Sequence, residues 1–63
     1  MIVNRKIKQY LEERGISQTW LSKVTGIPYK TVNSIINSTI KVSAENLGKI
    51  AAALDVSADI FLK

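Results

Sequence analysis

Apolar residues recur three or four apart along most of this chain, and each run is broken by a glycine, a proline or a cluster of short polar residues. Ile7 and Leu11, with Tyr10 beside them, form one stripe, while Lys6, Lys8, Glu12 and Glu13 take the solvated side. After a short apolar lead-in of Met1, Ile2 and Val3, Asn4 stands where an N-cap is wanted. A first helix is therefore predicted from Asn4 to about Arg14. Gly15 supplies the left-handed stop and Ile16 the apolar contact that follows such a cap. Ser17 caps a second predicted helix, 18–25, whose stripe is Leu21 and Val24 and whose Ser22 is small enough to admit a close neighbour. Gly26 gives the turn its positive φ. Pro28 presets the start of a third helix, 29–36, with Val32, Ile35 and Ile36 as its buried side.

The break at Gly26, Ile27 and Pro28 is too tight for the flanking helices to be independent, so their stripes must share a core. What the third helix leaves outside is Tyr29, Lys30, Thr31, Asn33, Ser34 and, one residue on, Asn37. That row of donors and acceptors with one positive charge suits a groove lined by base edges and phosphates. Residues 37–42 lose the helical period and read as a loop. Ser43 caps a fourth helix, 44–54, with a stripe of Leu47, Ile50, Ala51 and Leu54. Asp55 follows, then Val56 as a turn-back contact. Ser57 caps a last turn or two containing Ile60 and Phe61. The pattern is all-α, with five short helices.

A chain of 63 residues is one small domain, 1–63, whose core can supply only a few kcal/mol. It has no cysteine and no histidine, so disulfides, thiolate zinc sites and the usual general base near neutral pH are absent. Glu12 and Glu13 are neighbours and point about 100° apart on a helix, which rules them out as an acid/base pair. An enzyme is disfavoured, and no cofactor, metal or small-molecule substrate is expected. The net charge of +4 is unevenly distributed. Residues 1–42 carry seven basic side chains against two acidic ones, a net +5, whereas 43–63 carry a net −1. Positive charge thus travels with the half of the chain that holds the stretch 18–36, as a phosphate-binding face requires. No apolar run approaches the roughly 20 residues of a membrane span, and the N-terminus lacks a signal-peptide core. A soluble, cytoplasmic protein is expected.

In combination these residues resemble the phage repressor and Cro-type helix-turn-helix family, the XRE-type regulators. The resemblance runs through IKQYLEERGIS, QTWLSKVTGIPYKTVNSIIN and AENLGKIAAALDVSADIF. It implies a compact, five-helix, lambda-repressor-like DNA-binding domain with its helix-turn-helix at about 18–36. It also implies roles for particular residues. Gln18 would contact phosphate and brace the recognition helix. Tyr29, Lys30 and Ser34 would meet base edges, Thr31 and Asn33 would reach phosphate beside them, and Asn37 and Lys41 would lie along the DNA backbone. Dimers are implied through the region after the third helix and the last helix. Two positions depart from the pattern. Ser38 stands where many members have glycine, so Asn37 or Ser38 must take a positive φ. Trp20 replaces a residue that is often acidic.

Each of these residues also has a plainer role. Lys30 and the helix-one cations Arg5, Lys6 and Lys8 can simply be solvated, and Tyr29 can lay its ring over the turn. Trp20 can be half-buried against the first helix or exposed as a protein contact. Ile40, Val42 and Leu62 lie off the stripes, either as core filling or as an apolar patch. Two functions remain. One is a sequence-specific binder of double-stranded DNA acting as a transcriptional regulator, with repression by occupancy of its site the expected mode. The other is a protein-interaction module, such as an antitoxin or regulator partner, on the same fold.

Overall fold

The computed structural model describes residues 2–63. Five α-helices follow in order: α1 (Ile2–Arg14), α2 (Gln18–Thr25), α3 (Tyr29–Ile36), α4 (Ala44–Ala53) and α5 (Asp59–Leu62), with no strand among the described residues. The second and third helices have the bounds that their capping residues predict. Ser17 Oγ accepts from Trp20 N–H at 3.0 Å, and Gly26 closes α2 in the left-handed region at φ 75°.

Three of the interhelical turns share one chemistry. After α1, Gly15 is left-handed at φ 65°, and Ile16 N–H returns to Leu11 C=O at 2.9 Å. After α3, Ser38 takes φ 58° and Thr39 N–H returns to Ser34 C=O at 2.9 Å. After α4, Asp55 takes φ 57° and Val56 N–H returns to Ala51 C=O at 3.0 Å. Each is a Schellman closure that pairs carbonyls the helix end would otherwise leave open. Of the two candidates after α3, Ser38 rather than Asn37 carries the strain, since Asn37 has φ −85°.

The core draws on every helix: Ile7 and Leu11 from α1, Leu21 from α2, Val32, Ile35 and Ile36 from α3, Leu47, Ile50 and Ala51 from α4, and Phe61 from α5. Ile27, in the turn, is buried with them. Helix α1 packs against α5 and α3, and α2 against α3 and α4. The Tyr10 ring meets Phe61 edge-on at 5.7 Å, and the Arg14 guanidinium lies 3.7 Å from the Tyr10 ring centroid, closing the seam between α1 and α5.

The structure corrects the sequence reading in three places. Asn4 is not an N-cap. The helix starts at Ile2, three residues before the start that a cap at Asn4 would set, which puts Asn4 on the stripe of Ile7 and Leu11, fully buried. Its Nδ2 donates to Ile35 C=O at 3.0 Å and to Ile40 C=O at 2.8 Å, binding α1 to the end of α3 and the loop beyond it. Met1, in the expected lead-in, lies outside the described residues. Val24 is 50% exposed rather than buried, because α2 buries Leu21 with Gln18, Ser22 and Thr25 half-covered beside it. Helix α4 ends at Ala53, with Leu54 as its cap.

Candidate nucleic-acid interface

The turn between α2 and α3 is held by side chains as well as by backbone. Ser22 Oγ donates to Ile27 C=O at 2.6 Å. Thr25 Oγ1 donates to Leu21 C=O at 2.6 Å and accepts from Ile27 N–H at 3.2 Å. With Ile27 buried beneath it and Pro28 fixing φ at −54°, the turn launches α3 at a set angle. Ser22 and Thr25 therefore shape this surface without being on it. Their hydroxyls beside a glycine turn were the only hint in the sequence.

Helix α3 turns Val32, Ile35 and Ile36 inward and leaves the opposite side open. Tyr29 and Lys30 are exposed, Asn37 is exposed just past the helix end, and Thr31, Asn33 and Ser34 are half-buried. Lys30 and Ser34 are four apart and share the middle of that side. Lys30 has no acidic partner: among the described residues the ion pair present is Lys49–Glu45, at 3.7 Å on the distant α4. Such an exposed pair contributes little to stability.

Three of the expected residues meet directly. Asn33 Nδ2 donates to Gln18 Oε1 at 2.9 Å, so Gln18 braces α3 from the first turn of α2. Asn37 Nδ2 donates to Asn33 Oδ1 at 3.0 Å. Gln18, Asn33 and Asn37 thus form one line of amides along the edge of the open side of α3. Lys41 stands apart. It borders a mostly apolar groove of about 280 Å³ that it shares with Ile2, Val3, Asn4 and Val42, and none of the other candidate residues line that groove.

A family model described as helix-turn-helix matches residues 7–61. The chain belongs to the Cro/C1-type helix-turn-helix family. Its α2, turn and α3 are the helix-turn-helix unit, and membership makes it a DNA-binding transcription regulator in general terms. No curated protein and no solved structure matches alongside the family model. Among the described residues, no acidic cluster is placed to hold a metal ion, and no helix is long and apolar enough to cross a membrane.

On the rest of the helix-turn-helix surface, α2 carries Trp20 and Val24, four apart and 44% and 50% exposed. Helix α2 packs on α3 and α4, and Trp20 stands half-exposed on it. Ile40 and Leu62 are exposed, and Val42 is half-buried against the core.

Proposed function

We propose that this domain binds double-stranded DNA sequence-specifically, with α3 in the major groove and α2 across the backbone, and that it acts as a repressor by occupying its site. The observation that carries the reading is the open side of α3, where an unpaired Lys30 stands among neutral donors and acceptors, one of which, Asn33, is bonded to the Gln18 amide. An α-helix with its side chains is about 10–12 Å across, which the major groove, about 12 Å wide, admits. Lys30 then donates to guanine O6 and N7, Tyr29 and Ser34 meet neighbouring base edges or the thymine methyl, and Gln18, Thr31, Asn37 and Lys41 hold the backbone, with Asn33 bonded between Gln18 and Asn37.

A domain this small makes few contacts alone, so useful specificity calls for two copies on half-sites about 34 Å apart. The molecule measures 26 × 24 × 22 Å, which brings two copies one helical turn apart within side-chain reach. A homodimer on DNA in the cytoplasm is the assembly this reading requires, and it assigns no catalytic step to the domain.

The test is a binding titration against salt. Several phosphate contacts give a log–log slope of about −3 or steeper, because each neutralised phosphate releases condensed counterions. A flat slope would remove the DNA reading.

One observation favours a second reading, that of a protein-interaction module: Trp20 and Val24 form an exposed apolar pair on the outer side of α2. Trp20 fluorescence separates the two, since a protein partner seated on that pair changes the emission. DNA in the groove instead moves the Tyr29 and Lys30 resonances first.

A further inference from the structure

Asn33 spends both ends of its amide inside the protein. Its Nδ2 donates to Gln18 Oε1 and its Oδ1 accepts from Asn37 Nδ2, so a side chain that looked free to reach phosphate is the middle link of a chain of three. A primary amide is polar end to end, with two donors on nitrogen and an acceptor on oxygen. Fixing the sense of one therefore fixes its neighbours. In the observed sense Gln18 Oε1 is taken and its Nε2 carries both N–H groups outward, while Asn37 keeps one spare N–H beside its Oδ1. Reversing all three amides would preserve the internal bonds but turn Gln18 Oε1 outward. Phosphate oxygens only accept, so one facing Gln18 favours the observed sense, and at Asn37, whose Oδ1 is free in that sense, the contact falls to the one spare N–H.

We propose that Asn33 is a positioning residue that couples two phosphate contacts, one made by Gln18 at the start of α2 and one by Asn37 beyond the end of α3. Gln18 and Asn37 share no hydrogen bond with each other. Each is bonded to Asn33, 15 and 4 residues away along the chain respectively. A phosphate that orders the Gln18 amide therefore orders Asn33 and, through it, Asn37, so the second contact forms on an amide that is already aligned. The inference rests on the DNA reading above and adds to it that the two ends do not act independently.

The test is a double-mutant cycle on duplex affinity. Gln18→Ala, Asn37→Ala and the double variant are titrated with a duplex selected by the wild type, first with Asn33 present and again in an Asn33→Ala background. Alanine favours helix more than asparagine, and Asn33 is only half-buried, so the background variant folds; a melting curve for each protein checks this. With Asn33 present, the double variant should lose at least threefold less affinity than the product of the two single losses. In the Asn33→Ala background the losses should multiply. If they multiply with Asn33 in place, the coupling is overturned while DNA binding stands. If the wild type fails to bind duplex in a salt-dependent way, the DNA reading falls and takes the coupling with it.

Discussion

Asn4 ties α1 to the end of α3 and the loop beyond it, and replacing it with alanine tests that directly. The substitution removes two hydrogen bonds, to Ile35 C=O at 3.0 Å and Ile40 C=O at 2.8 Å. Each contributes about 1 kcal/mol net, and a carbonyl left without a partner costs about 1 kcal/mol more. Ile35 C=O keeps the Ser38 N–H at 3.1 Å, whereas Ile40 C=O has no other donor among the described residues. Against these losses stands a relief of about 1 kcal/mol, because the buried Asn4 Oδ1 has no partner and leaves with the side chain. The balance is a destabilisation of about 2 kcal/mol, a large share of the roughly 3–9 kcal/mol available to a domain of this length. The midpoint of thermal unfolding, followed by circular dichroism at 222 nm, should fall by about 8–16 °C. Asn4→Asp should cost more, since it offers no donor when ionised and buries a charge against two carbonyls. A fall of less than about 2 °C for Asn4→Ala, or an aspartate variant as stable as the alanine one, would refute the reasoning.

Further predictions concern the turns and the recognition surface. A Cβ added at Gly26 meets nothing within 4 Å, so Gly26→Ala should cost about 1–2 kcal/mol through backbone strain at φ +75° alone, read by urea unfolding. Ser38→Gly should stabilise by about 0.5 kcal/mol, since relief at φ 58° exceeds the entropy that glycine adds to the unfolded chain; a lower urea midpoint would contradict it. Lys30→Ala should weaken a selected site by about 1–3 kcal/mol more than random DNA in parallel titrations. Equal losses on both would make Lys30 a phosphate contact.

Local chemistry explains why α2, its turn and α3 were legible. Ser17, Gly26 and Pro28 act on their immediate neighbours, and helical phase alone separates Val32, Ile35 and Ile36 from Lys30 and Ser34. What was not legible depends on partners far along the chain. An asparagine that caps a helix and one that is buried look alike until the carbonyls of Ile35 and Ile40, 31 and 36 residues away, come into view. The spacing did hold a clue, because Asn4 is three before Ile7 and seven before Leu11, a polar residue in phase with an apolar stripe. Val24 misled for a related reason. On a two-turn helix packed along a narrow strip, the residue three after Leu21 falls outside the contact while Thr25, four after it, falls within. The candidate site residues rested on helical phase and resemblance, and the bonds joining Gln18, Asn33 and Asn37 needed the interhelical angle.

The hydroxyls of Ser22 and Thr25, clasped over Ile27, have a consequence for how targets are told apart. An elbow already latched has little motion left to surrender on docking, so the adjusting falls to the duplex. Sequences that bend or narrow easily would then be preferred even at base pairs no side chain touches.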